Sequence, residues 1–144
     1  MNRSSTRLLR VVTFVYALAL IVVTMLPSGG ALGGWDEDIT PSLQNTLHVP
    51  AYALLAALVM LAMVPDVGAG YGRILLVALC CCLFGIALEF VQAFIPGRSA
   101  SLIDAALNVI GVLTGGALAI GWQGSPRRRE TEASERATEQ QEAR

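Results

Sequence analysis

Two acids and two carboxamides in the second half of the chain are spaced so that each pair shares a helical face. Glu89 and Gln92 are three residues apart, and Asp104 and Asn108 are four apart. Gly85 lies a turn before Glu89 on the same face, and Gly111 and Gly115 continue the face begun by Asp104 and Asn108. Pro96-Gly97-Arg98-Ser99 stands between the two pairs, and upstream His48 and Tyr52 are four residues apart. A guanidinium among carboxylates and carboxamides can bind a polar head group, with Arg98 holding its anionic part and Glu89, Gln92, Asp104 and Asn108 completing the site. The same set also permits acid–base chemistry, with His48 or Glu89 moving a proton and Arg98 stabilising developing negative charge. No motif specifies a nucleophile.

Metal chemistry is not expected, and neither is a cofactor. His48 is the only histidine, so no histidine cluster can hold zinc. Cys80, Cys81 and Cys82 are consecutive; helical neighbours point about 100° apart, so the trio cannot converge on one ion. Their odd number and lack of a separated partner argue against a disulfide framework. They read as small apolar packing residues.

Each candidate also has a structural reading. Glu89 is the hardest to dismiss, because an ionised carboxylate near mid-membrane costs ~2.5–3.5 kcal/mol on insertion scales; a purely structural role would make it half of an ion pair with Arg98. Ser101-x-x-Asp104 before an apolar run is a capping-box pattern, so Asp104 is either a helix cap or a ligand contact. Arg98 can anchor a loop among lipid phosphates, and the two nearby acids favour a site instead. Asn108 is either an interhelical hydrogen-bond partner or a ligand contact. His48 is either a satisfied interfacial histidine or a functional one. Tyr52 also fits an interfacial aromatic belt, with Trp35 at the same end and Trp122 at the other. Gly111-x-x-x-Gly115 reads as a close helix-packing motif.

The elements that must position these residues are membrane helices. Apolar residues make up 54% of the 144-residue chain and charged ones only 15%, against about a quarter in a soluble domain. The charges gather in the first ten residues, in Asp36-Glu37-Asp38 and in the last eighteen. A domain this small has too little interior to hide the remaining apolar surface from water. Four apolar runs approach the ~20 residues that cross a hydrocarbon core. They are about Leu8 to Leu26, Leu47 or Pro50 to Val64, Ile74 to Phe94 or Ile95, and Leu102 to Ile120. Pro27-Ser28-Gly29-Gly30, Pro65-Asp66 and Pro96-Gly97 close the first three. No strand alternation is visible, and lipid cannot satisfy an open backbone, so the expected fold is an all-α bundle of four transmembrane helices. Pro50 disfavours helical geometry at Val49, which leaves open whether His48 lies inside the second helix or at its mouth.

All ten basic residues are arginines, and they set an orientation. Arg3, Arg7 and Arg10 precede the first span, Arg73 lies between the second and third, and Arg127, Arg128 and Arg129 follow the fourth. The positive-inside rule puts these regions and both termini in the cytoplasm. The loops Pro27–Thr46 and Pro96–Ser101 then face outward, and every candidate site residue falls in the outer half of the membrane or at its outer surface. The first span also resembles a signal peptide, with Ala31-Leu32-Gly33 as a small-x-small site. Its apolar stretch exceeds the ~7–15 residues of a signal core, which favours an uncleaved span. The chain divides into a membrane domain over 1–123 and a charged, disordered cytoplasmic tail over 124–144.

These residues carry a resemblance. Glu89-x-x-Gln92, Pro96-Gly97-Arg98 and Asp104-x-x-x-Asn108-x-x-Gly111-x-x-x-Gly115 are similar to the signature of the VanZ-like family. His48-x-x-x-Tyr52 resembles that family's upstream His/Tyr motif. The likeness covers roughly Gln44 to Gly116. It departs at Gln44-Asn45, where the family usually carries an Asp-Lys pair, so an ion pair or charged contact is not expected from these two residues. The family's eponymous member is associated with low-level teicoplanin resistance, and the resemblance implies a membrane protein without supplying a reaction.

The expected function is therefore tolerance of a glycopeptide or of envelope stress. The outer cluster would bind a lipophilic glycopeptide or a cell-wall precursor at the outer face of a bacterial cytoplasmic membrane. A membrane enzyme acting on a lipid-linked phosphate or amide is the alternative. A small multidrug-type exporter ranks third, because dual-topology exporters need a weaker arginine bias. Membrane lipid is the expected surrounding partner and nucleic acid is not expected; the oligomeric state stays open.

Overall fold

The computed structural model describes residues 3–26, 41–64, 70–96, 98 and 100–125, together with 134, 140 and 141. The acidic segment Asp36-Glu37-Asp38, Trp35, the small-x-small site at Ala31, the Arg127-Arg128-Arg129 run and most of the charged tail lie outside the described residues, as do the side chains of Gln44 and Asn45. Among the described residues four helices build the architecture: α1 (Arg3–Met25), α2 (Pro41–Met63), α3 (Tyr71–Gln92) and α4 (Leu102–Gly124). No strand occurs among the described residues. At 1.5 Å per residue each helix is about 33–35 Å long, enough to cross a ~30 Å hydrocarbon core. All four are long and apolar enough to span a membrane.

Helix α2 starts earlier than the apolar pattern suggests, so His48 lies within it and Pro50 is an interior proline. Proline cannot donate to the carbonyl four residues back. Membrane helices accommodate the break where neighbouring helices pack around it, and the backbone flanking Pro50 is packed against α4.

Successive helices run antiparallel, and α2 and α4 form the most extensive pair, with α1 packed against α2 and, less, α3. Glycine decides that contact. A Cβ at Gly111 would meet the Val49 carbonyl oxygen at 2.6 Å, and one at Gly115 would fall on the Ala53 carbonyl oxygen. The two backbones therefore touch directly, which is the close approach that drives association where lipid removes the hydrophobic incentive. Around it pack Ala56, Met60, Val112 and Ala119, all buried. The outward faces carry Phe14, Leu18, Leu75, Leu83, Phe90 and Leu118, all exposed. In water such a surface would aggregate, and in lipid it is solvated. The three cysteines are free, with Cys81 buried and Cys80 exposed.

Candidate functional site

The ends of α1 and α3 and the starts of α2 and α4 meet at one end of the bundle, and the polar residues gather there in tiers. The deepest tier belongs to Tyr52 and Asn108, which are 2% and 1% exposed. Tyr52 packs over Gly85, where a Cβ would meet its ring at 2.8 Å and the Asn108 Cβ at 3.1 Å. Only glycine leaves room for both side chains. Asn108 Nδ2 donates to the Gly85 carbonyl at 3.3 Å, and Asn108 Oδ1 lies 2.8 Å from His48 Nδ1. One carboxamide thus ties α4 to both α3 and α2. The His48 and Tyr52 rings, a turn apart, lie parallel within 2° at a centroid separation of 6.3 Å.

Glu89 forms the next tier. It is 5% exposed, and its Oε1 accepts from the Ser101 backbone N–H at 2.7 Å. Ser101 is the N-cap of α4, and its Oγ accepts from the Asp104 N–H at 3.3 Å. The capping box is thus half built from its own helix. The N–H that the acid of a capping box would take goes to a carboxylate from α3. Negative charge there also favours the positive end of the α4 dipole, which half-buried Asp104 in the first turn reinforces. The second oxygen, Glu89 Oε2, is buried and has no hydrogen-bond partner among the described residues. A buried acceptor left unpaired costs ~1–3 kcal/mol, more when charged.

The shallowest tier closes over the end of α1. Gln92, also buried, donates from Nε2 to the Thr24 carbonyl at 3.0 Å, and Arg98 donates from Nε to the Leu26 carbonyl at 3.3 Å. The last carbonyls of a helix have no intrahelical donor, and these two side chains supply some of the missing bonds. Arg98 is half-buried and forms no direct ion pair with Glu89. The pattern in the sequence does not point to Ser101 as the partner of Glu89. It also passes over Gln123, buried at the opposite end of the bundle, whose Nε2 donates to the Val64 carbonyl at 2.5 Å. A lone carboxamide near the end of an apolar run was the only available signal. No metal-binding group of His, Cys, Asp and Glu occurs among the described residues.

Four apolar membrane-length helices with a buried polar cluster at one end define a small helical protein of the membrane-spanning class. The chain matches the family described as VanZ/LLP1 over residues 13–123, from within α1 almost to the end of α4, and it belongs to that family. Comparison with curated proteins and with solved structures found no match.

Proposed function

We propose that the protein contributes to tolerance of a lipophilic glycopeptide of the teicoplanin type, or of the envelope stress it causes. The cluster around Glu89 would bind the antibiotic or a cell-wall precursor at the outer face of a bacterial cytoplasmic membrane. Family membership supports the glycopeptide association, and the arginine distribution supports an outward-facing cluster with both termini inside. An uncleaved α1 fits this reading, because Gln92 and Arg98 bond to its last carbonyls.

The observation that carries the reading is Glu89 Oε2. The other carboxylate oxygen completes the start of α4, so a structural role is met by one atom alone. The second oxygen is buried with no described partner, as an acceptor awaiting a donor would be, and Asp104, His48 and Arg98 are the ionisable groups that act on Glu89.

Glu89→Gln separates the two roles. Glutamine keeps a carbonyl oxygen for the Ser101 N–H and turns the second atom from acceptor into donor. Susceptibility to teicoplanin, which carries a lipid chain, is measured beside vancomycin in cells with the gene, without it, and with the variant. Tolerance of teicoplanin should require the gene and be lost in Glu89→Gln, with the variant still present at normal abundance in the membrane. Full tolerance in the variant would reduce Glu89 to a helix cap and remove the ligand site.

A further inference from the structure

The Asn108 carboxamide is held from two sides, and the chemistry of its two partners fixes which way it faces. The Gly85 carbonyl can only accept, so the atom 3.3 Å from it is the amide nitrogen. That turns Oδ1 toward His48 Nδ1 at 2.8 Å. A carboxamide oxygen can only accept, so His48 Nδ1 must carry a hydrogen. A neutral imidazole has one N–H, and its other nitrogen is then a bare lone pair. Asn108 is 1% exposed, so solvent cannot readily substitute for either partner and release the amide to flip. Gly85 makes the arrangement possible, because any side chain there would displace both Tyr52 and Asn108.

We infer that Asn108, oriented by the Gly85 carbonyl, is a positioning residue that fixes neutral His48 as the Nδ1–H tautomer and makes Nε2 an acceptor for a hydroxyl or ammonium of the bound head group. The tautomer stands on the hydrogen-bond geometry alone; the acceptor role rests on the ligand-binding reading above. With Glu89 Oε2 the site then offers two unpaired acceptors beside one guanidinium. The head group that complements them carries O–H or N–H donors together with an anionic group, as amino sugars and amino-acid termini do. A phosphodiester, which carries no O–H or N–H of its own, would satisfy only the arginine.

The chain has one histidine, so full-length protein labelled with 15N-histidine in micelles gives a single imidazole spin system. At alkaline pH, Nδ1 should resonate as a protonated, pyrrole-type nitrogen and Nε2 as a bare, pyridine-type one. The reverse assignment, or an averaged mixture, in the unmodified protein would overturn the tautomer without any variant having to fold. Asn108→Asp keeps an acceptor and should keep the tautomer. Asn108→Leu removes the acceptor and should shift the population toward Nε2–H. A population unchanged in Asn108→Leu would show that Asn108 positions nothing. Added teicoplanin should move the Nε2 resonance upfield as it accepts a hydrogen bond, with Nδ1 nearly still. Binding that leaves Nε2 unmoved would refute the acceptor role. No binding at all would refute the tolerance reading, and the acceptor role with it, while the tautomer would still be decided by the spectrum of the free protein.

Discussion

The same substitution, glycine to alanine, should have opposite effects at positions a few residues apart on α4. In a helix interior, alanine is favoured over glycine by about 0.8–1 kcal/mol, because it restricts the unfolded chain and exposes less backbone. At Gly121 a Cβ meets nothing within 4 Å, so Gly121→Ala should stabilise by about that amount. At Gly116 the added methyl would rest 3.6 Å from the Met60 methyl, an ordinary contact, and the gain should persist. Gly115 is different. There the Cβ would fall on the Ala53 carbonyl oxygen and lie 2.5 Å from its carbonyl carbon. Backbone cannot rotate away as a side-chain end can. Reaching ordinary contact needs α2 and α4 to separate by more than about 1 Å, and a gap of that size forfeits about half or more of each dispersion well along the seam.

Overpacking a tight core costs about 1–3 kcal/mol, and this seam is the most extensive helix pair in the bundle. Lipid supplies no hydrophobic force to hold the separated helices together. A backbone clash puts the cost at the top of that range, so after the propensity gain Gly115→Ala should destabilise by a net ~1–2 kcal/mol, a factor of about 5–30 in the unfolding equilibrium. Reversible denaturation of purified protein in mixed micelles, with stability read from far-UV circular dichroism, measures the whole series under one condition. The expected order of stability is Gly121→Ala and Gly116→Ala above wild type and Gly115→Ala well below it. Wild-type stability in Gly115→Ala would mean that α2 and α4 are not in backbone contact, and the positions of Asn108 and His48 across that seam would fall with it.

The arrangement makes further predictions. In a background with Cys80, Cys81 and Cys82 replaced by alanine, Ala100→Cys should react with an impermeant maleimide on intact cells and Gly72→Cys only after lysis; the opposite result would invert the site to the cytoplasmic face. Gln123→Leu leaves the Val64 carbonyl unpaired at the far end of the bundle, so it should lower stability by about 1–2 kcal/mol in the same denaturation assay while leaving teicoplanin tolerance intact. Gln92→Leu frees the Thr24 carbonyl beside the site and should cost a similar ~1–2 kcal/mol, with tolerance reduced because α1 loosens. Glu89 and Arg98 form no direct ion pair but interact through space, so a Glu89→Gln and Arg98→Gln double-mutant cycle should show a coupling of about 0.5–1 kcal/mol, whereas a direct ion pair would approach about 3 kcal/mol.

Much of the bundle was legible because lipid imposes a coarse rule. A run of about 20 apolar residues must be a helix, and proline with glycine must end it. Those signals locate α1, α3 and α4 to within a few residues, and the i,i+3 and i,i+4 spacings place Glu89 with Gln92 and Asp104 with Asn108 correctly on shared faces. The start of α2 was not legible. Pro41-Ser42-Leu43-Gln44-Asn45-Thr46 has too few apolar residues to read as a span, and Pro50 reads locally as a boundary. Packing of Val49 and Ala53 against Gly111 and Gly115 overrides that local preference. Such an override depends on a contact some 60 residues away, and neither short segment announces it.

The pairing of the polar residues was hidden for a related reason. Opposite charges at Glu89 and Arg98 invite an ion pair, yet each side chain faces an unsatisfied backbone group at a helix end, the Ser101 N–H and the Leu26 carbonyl. In a medium without water an open helix terminus is expensive, and a side chain from the neighbouring helix is the nearest remedy. Three polar residues at this end, Glu89, Gln92 and Arg98, bond to backbone groups of other segments in this way. That demand explains why they cluster, but it accounts for only one oxygen of Glu89. Asn108 goes further, spending both ends of its amide on α3 and on His48, the pair of contacts from which we infer the Nδ1–H tautomer. A scaffold requires bonded termini; it does not require an oriented histidine beside a buried, unpaired carboxylate oxygen. The excess of polar chemistry over what the helix ends demand is therefore the part of the cluster on which the proposed function rests.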